Sequence, residues 1–244
     1  MRQILVLTAS LMAFLISTAQ IVPTSEVVDF GLIKEVDGPK TVRVYVKNIG
    51  TEPQTILKVK PTCGCTAADF QKTPFAPGDS AWIDLTYNPV RRPGAFTKSV
   101  KVYPTEGNMI DVDITGTVIA SEGTLSHMFP VNLGCLRLTE DSFTPLRPLT
   151  KEVKCFMAGI YNTCDHDLYI AVENADEAIG IDVVPFPLPP GHKGMIEISL
   201  NPLRETRTGS LEYLLHLFTA ENAEGLKNAP SETLKINVVI EPEN

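Results

Sequence analysis

The sequence predicts an all-β protein of two tandem antiparallel sandwich domains. Three observations carry this. Apolar residues alternate with polar ones in short runs. Gly, Pro and Asn turns punctuate those runs at intervals of roughly 8–12 residues. A stretch of the first half, Pro77 to Pro89, recurs in the second half with its apolar and polar positions preserved. No stretch shows a convincing amphipathic helical period.

The chain opens on Arg2, an almost wholly apolar run from Ile4 to Ile16, and the small residues Ser17-Thr18-Ala19. This is the pattern of a secretory signal peptide over residues 1–19, cleaved after Ala19. A membrane span needs about 20 apolar residues, more than the run offers, and no second span follows. Glu26 to Phe30 reads as a first strand leading into Gly31. In Thr41 to Lys47, Val42, Val44 and Val46 alternate with other residues, the period of a half-buried strand. Asn48-Ile49-Gly50-Thr51 is a turn, and Gln54 to Lys60 alternates again. Pro61-Thr62-Cys63-Gly64-Cys65-Thr66 follows. After the Pro77-Gly78-Asp79 turn, Trp82 to Tyr87 places Ile83, Leu85 and Tyr87 on one face and Trp82, Asp84 and Thr86 on the other. Strands over Phe96 to Tyr103 and Met109 to Ile119 complete the half.

Pro77-Gly78-Asp79 through Asn88-Pro89 aligns without a gap on Pro190-Gly191-His192 through Asn201-Pro202, an offset of 113 (190 − 77). Gly94 with Phe96 to Tyr103 matches Gly209 with Leu211 to Phe218. Asp29-Phe30-Gly31 is echoed by Asn132-Leu133-Gly134 at an offset of 103 (134 − 31). The second copy therefore carries extra residues around Glu140 to Thr150. The expected domains are 20–121 and 122–244, joined near Ser121-Glu122-Gly123-Thr124.

Asp29-Phe30-Gly31, the run Val44 to Gly50, Cys63-Gly64-Cys65-Thr66, Pro77-Gly78, Tyr87-Asn88-Pro89 and Gly94-Ala95-Phe96 together resemble domain-of-unknown-function family 1573, over about residues 26–118. The second half shares only the skeleton of turns and strands and lacks the Cys-Gly-Cys. The resemblance implies Ig-like domains in an exported bacterial protein, similar in layout to modules of the pilus-chaperone and sperm-protein type. It implies no activity.

A net charge of −8, with no basic cluster beyond Arg91-Arg92, leaves no footprint for nucleic acid or an anionic membrane surface. Asp29-Phe30-Gly31 lacks the Gly-rich loop, strand Lys and catalytic loop of a kinase. Ser25, Ser80 and Ser99 lie in no nucleophile elbow. Asp111 and Asp113 share one strand face, most simply the wet one. No catalytic residue, cofactor or metal site is expected, and a small-molecule substrate is not.

The reactive chemistry is confined to cysteine. Five are present: Cys63, Cys65, Cys135, Cys155 and Cys164. An oxidising compartment permits disulfides, and an odd count leaves at least one thiol free or paired between chains. In extended backbone Cys63 and Cys65 project to one face about 6.5 Å apart, near the upper Cα limit of about 6.8 Å for a disulfide. Gly64 can bend the chain and close the ring. A ring so tight is expected to be readily reduced. Three roles stay open for the pair: a structural cross-link, a redox couple, or a Cu(I) or Zn site, the last needing further ligands. Met109 could supply one if the fold brings it near; the nearest His, His127, is remote in sequence. In the second copy the corresponding segment is Asn174-Ala175-Asp176-Glu177, so the strand plan does not require the pair. Cys135 can bridge to Cys155 or to Cys164, or all three can stay free. Cys164-Asp165-His166-Asp167 looks like a ligand cluster but falls on the turn equivalent to Gly50-Thr51-Glu52, where such residues are ordinarily solvated.

The expected function is that of an exported, non-enzymatic binding or structural protein of the bacterial envelope, in the periplasm or at the surface. Its end loops, including Pro61 to Phe75, or an exposed strand edge would contact another exported protein. The alternative is a thiol-redox or soft-metal protein acting through Cys63 and Cys65.

Overall fold

The computed structural model describes residues 21–174 and 176–241. The signal peptide expected at 1–19 lies outside the described residues. The first half carries β1 (Ile21–Pro23), β2 (Val27–Lys34), β3 (Lys40–Asn48), β4 (Ile56–Pro61), β5 (Thr66–Phe70), β6 (Ser80–Tyr87), β7 (Gly94–Pro104) and β8 (Ile110–Ile119). They form two four-stranded sheets, ordered β1-β3-β6-β5 and β2-β8-β7-β4. A short helix, α1 (Glu122–Met128), follows, with Ser121 as its N-cap. The second half carries β9 (Val131–Leu133), β10 (Leu136–Leu138), β11 (Ser142–Phe143), β12 (Lys154–Asn162), β13 (Tyr169–Glu173), β14 (Ile179–Val184), β15 (Lys193–Leu200), β16 (Gly209–Ala220) and β17 (Ser231–Ile240). These make a five-stranded sheet, β14-β15-β12-β10-β9, and a four-stranded one, β11-β17-β16-β13. The fold is all-β, of the two-sheet antiparallel type that Ig-like domains share. Among the described residues, no helix is long and apolar enough to cross a membrane.

The chain divides into two compact units: the described residues up to Val27 with Arg43–Leu85 and Ser99–Asp113, and Val28–Val42 with Thr86–Lys98 and everything from Ile114 onward. Several strands contribute one end to each. The division at 121/122 remains an expectation of the sequence repeat.

In the smaller unit, alternation decides what is buried. Val46, Ala81, Ile83 and Leu85 are fully enclosed, while Arg43, Tyr45 and Lys47 on β3 face out. In the larger unit, Tyr87 of β6 stacks on Phe96 of β7 with ring centroids 3.9 Å apart, and Phe30 of β2 meets both edge-on at 6.3 Å. Strands of two different sheets thus share one aromatic core. A second core joins the other two sheets, with Phe156, Ile160, Ile196 and Ile198 against Tyr213, Leu215, Leu234 and Ile236.

A buried carboxylate organises the segment around α1. Glu35, 8% exposed, accepts hydrogen bonds from Arg91 N–H (2.8 Å), Ser121 N–H (2.8 Å) and the Thr124 hydroxyl (2.6 Å). Burial alone would raise its pKa, but these donors outweigh it and hold the carboxyl below its usual value. Tyr161 packs with Leu125 and Phe129, and its hydroxyl accepts from Ala120 N–H at 3.0 Å.

The two halves share one corner in atomic detail. Asn48, fully buried, donates from Nδ2 to the carbonyls of Glu52 (2.9 Å) and Phe75 (3.2 Å) and accepts at Oδ1 from Gly50 N–H (2.9 Å). Asn162, also fully buried, donates to the carbonyls of His166 (2.8 Å) and Leu188 (2.9 Å) and accepts from Cys164 N–H (2.8 Å). The same pairing recurs between Gln54 and Phe75 and between Leu168 and Leu188. An asparagine amide satisfies three backbone groups at once here, which apolar side chains cannot do.

Candidate functional site

Residues 61–75, expected as an end loop, are more than a loop. β4 lies in one sheet and β5 in the other, so Pro61 to Cys65 is the crossover that carries the chain between them. β5 then forms the edge of its sheet, hydrogen-bonded to β6 alone among the described strands. Thr66-Ala67-Ala68-Asp69-Phe70 carries only one β-branched residue and no clean alternation. Sequence pattern therefore gives little sign of this strand.

The Cys63-Gly64-Cys65 pair sits on the crossover and is joined as a disulfide, with Cα atoms 5.3 Å apart. The bend at Thr62 to Cys65 shortens the span expected of extended backbone, and Thr62 N–H is tied to Ser99 C=O at 3.0 Å. The two sulfurs differ in environment. Cys65 is 5% exposed, whereas Cys63 is only partly covered. Thr66, itself buried, places Oγ1 3.7 Å from Cys63 Sγ and 3.9 Å from Cys65 Sγ. Disulfide sulfurs carry no proton, so the hydroxyl is the donor in both contacts. Thr66 belongs to the Cys-Gly-Cys-Thr stretch that the sequence marks, but no role is assigned to it there.

The second half makes the equivalent crossover, from β13 to β14, without cysteine. Asn174 Oδ1 accepts from Asp176 N–H (3.2 Å), and Asp176 Oδ1 accepts from Ala178 N–H (3.1 Å). Asp176 also meets Arg207 Nη2 at 2.6 Å, and Arg207 in turn holds Glu205, whose other donor is the Tyr213 hydroxyl at 2.6 Å. The Arg207 guanidinium, ahead of the Tyr213 hydroxyl, lowers the Glu205 carboxyl to about 2. β14 is again an edge strand, with β15 as its one hydrogen-bonded neighbour in the sheet.

Around β14 the outer face of its sheet is open and mixed: apolar Val184, Met195 and Met157 share it with the exposed Asp182 and Glu197, which pair in register beside Met157. Met195 lies opposite Val184 on one side and Gly159 on the other, with Met157 two residues along β12. Val184 is 62% exposed, Met157 57% and Met195 38%. In the smaller unit, the outward face of β3 and β6 is instead polar: Arg43 reaches Asp84 through two contacts of 2.7 Å and lies over the Trp82 ring at 4.7 Å.

The other cysteine questions are settled by position. Cys135 is bonded to Cys164, and Cys155 is the exposed free thiol on β12. Cys164 is therefore unavailable as a ligand. His166 pairs with Asp165 at 3.0 Å, with Glu221 farther off at 3.8 Å. Among the described residues, no group of three or more His, Cys, Asp or Glu is placed to hold a metal ion. Met109, considered as a soft ligand, is 43% exposed. Asp111 is engaged by Lys101 (3.0 Å) and Ser99 (3.1 Å), which hold its carboxyl below the usual range.

A family model reaches the first half of the chain. The model of a family described as protein of unknown function, DUF1573, matches residues 21–118, the span from β1 to the end of β8. No curated protein matches the chain. Among solved structures, a protein of unknown function from Porphyromonas gingivalis W83 is 13% identical, covering 91% of this chain and 100% of its own, at a TM-score of 0.37. The YadV chaperone is 14% identical (88% and 99% covered, TM-score 0.32). The Pseudomonas aeruginosa CupB2 chaperone is 8% identical (90% and 100% covered, TM-score 0.30). Likenesses this distant carry no argument about what the chain does.

Proposed function

We propose that the chain is an exported, non-enzymatic envelope protein that binds another exported protein along its sheet edges. The observation that carries this is the pair of edge strands β5 and β14, which hold equivalent places in the two halves and each have a single hydrogen-bonded neighbour. An edge strand presents unpaired N–H and C=O groups to which an extended partner segment can add, while side chains on the flanking face give selectivity. At β14 that face carries Val184, Met195 and Met157 beside the exposed Asp182 and Glu197, and methionine adapts to varied apolar partners. At β5, Ala67 and Asp69 are exposed and Phe70 is half-buried. The signal-like start and the two disulfides both support an oxidising compartment. No small-molecule chemistry is assigned, because the carboxylates and histidine described above are engaged in ion pairs and hydrogen bonds.

The test is Val184→Glu with Met195→Glu, both on the exposed face, so the core is untouched. The doubly substituted protein is expected to keep its melting transition and to lose the partner recovered by crosslinking from intact cells. Recovery of the same partner in undiminished yield would refute this surface, and recovery of no partner by the unsubstituted protein would refute the binding role.

A further inference from the structure

The crossover before β5 has a chemistry that its counterpart before β14 lacks. Asn174 and Asp176 turn the second crossover with ordinary hydrogen bonds, so the corner can be made without a cross-link. The cross-link also closes a very short loop, with a sequence separation of 2 against 29 for Cys135–Cys164. The chain-entropy gain of a disulfide shrinks as the loop it closes becomes shorter. The pair therefore contributes little as a staple. What it does have is asymmetry: a partly open Cys63, a buried Cys65, and the buried Thr66 hydroxyl within reach of both sulfurs.

We propose that Cys63–Cys65 is an exchangeable disulfide that oxidises a dithiol on another exported protein, one dithiol per disulfide and without catalytic turnover. Cys63 is the sulfur attacked, Cys65 the leaving group, and Thr66 the donor to the departing thiolate. In the first step a thiolate of the partner dithiol attacks Cys63 Sγ. The Cys63–Cys65 bond breaks, a mixed disulfide forms, and Cys65 leaves as a thiolate that takes a proton from solvent. In the second step the partner's other thiolate attacks the partner sulfur of the mixed disulfide and displaces Cys63. The partner loses two electrons and two protons and gains a disulfide. Cys63 and Cys65 end as thiols.

The direction of attack follows from access, because an incoming thiolate must approach the sulfur it attacks, and Cys65 is covered. The role of Thr66 follows from charge. A hydroxyl bonds an anionic sulfur more strongly than a neutral disulfide sulfur, so its donation favours the state in which Cys65 has left. Among the described residues no hydroxyl is hydrogen-bonded to the Cys135 or Cys164 sulfur, and Cys164 N–H is spent on Asn162.

The experiment uses the full oxidised chain, with dithiothreitol as the probe dithiol and oxidised glutathione as the probe disulfide. Opening is followed by acid quench, alkylation and mass spectrometry mapped to each cysteine. Thr66→Val is expected to slow the opening of Cys63–Cys65 by dithiothreitol roughly five- to tenfold, and Thr66→Ser to restore it, with the opening of Cys135–Cys164 unchanged in both. Cys65→Ser is expected to take up glutathione on Cys63 at least about tenfold faster than Cys63→Ser takes it up on Cys65. Thr66→Val opening at the unsubstituted rate, or equal glutathione uptake by the two serine variants, would overturn the assignment. So would a Cys63–Cys65 bond in the unsubstituted chain that resists dithiothreitol until the protein unfolds, a result independent of any variant's folding.

Discussion

Removing the two disulfides one at a time separates a staple from a local site. In the loop-entropy description, a cross-link stabilises by about 298 K × (2.1 + 1.5R ln n) cal/mol/K. The separations of 2 and 29 close loops of 3 and 30 residues. The short loop is then worth about 1.6 kcal/mol and the long one about 3.6 kcal/mol. The perturbations are Cys63→Ser with Cys65→Ser, and Cys135→Ser with Cys164→Ser. Urea unfolding followed by circular dichroism reads both. The first pair is expected to lower unfolding free energy by no more than about 1.6 kcal/mol and the second by about twice that. A loss at Cys63–Cys65 as large as that at Cys135–Cys164 would refute the reasoning. It would make the short disulfide a principal support of its sandwich.

Other outcomes follow from buried polar groups. Glu35→Gln replaces an acceptor-only group with one that points an NH2 at existing donors, and should destabilise by about 2–4 kcal/mol in the same urea assay. Because the folded Glu35 pKa is lowered, its contribution is present above the unfolded carboxylate pKa and fades as pH falls below it. The difference between Glu35 and Glu35→Gln proteins should therefore shrink in acid. Glu205 behaves alike: with a folded value of about 2 against an ordinary 4.5, its contribution is complete above about pH 4.5 and is lost progressively toward pH 2. Arg207→Ala should flatten that part of the stability profile measured by thermal melts. Asn48→Ala or Asn162→Ala removes three side-chain-to-backbone hydrogen bonds each, though the Phe75 and Leu188 carbonyls keep a backbone donor, and should cost about 2–4 kcal/mol, read as a lowered urea midpoint.

How much of this was visible in the sequence depends on how strongly each element is patterned. β6 was legible to the residue: Ile83, Leu85 and Tyr87 are enclosed and Trp82, Asp84 and Thr86 are not. β16 and β17 follow the same rule, because each is sandwiched against a core on one face and wet on the other, whereas β12 does so only as far as Ile160, since Tyr161 on the opposite face is covered by Leu125 and Phe129. The Cys164 to Asp167 turn was matched correctly to Gly50 to Glu52, and the Asn48 and Asn162 networks give the physical reason. β5 was missed because an edge strand has fewer neighbours to pattern its side chains. α1 was missed because its seven residues are too few to display a helical period. The extra residues near 140–150 became β11, a two-residue parallel addition to β17 held by Phe143, whose shortness gives no sequence signal. Glu35 was invisible for another reason. Its donors come from residues 56 to 89 positions away, and nothing local marks a surface-type residue as buried. At the cysteines, the motif was plain from sequence, but the pairing of Cys135 with Cys164 and the place of Thr66 needed the fold.

The most direct test of binding along the sheet edges is site-specific photocrosslinking in intact cells. A photoreactive residue is placed at Ala67 on β5 or Asp182 on β14, with Leu203, exposed and outside any strand, as the control position. Binding along the edges predicts an adduct to the same exported protein from Ala67 and from Asp182, and none from Leu203. Adducts in equal yield from all three positions, or from none, would contradict it.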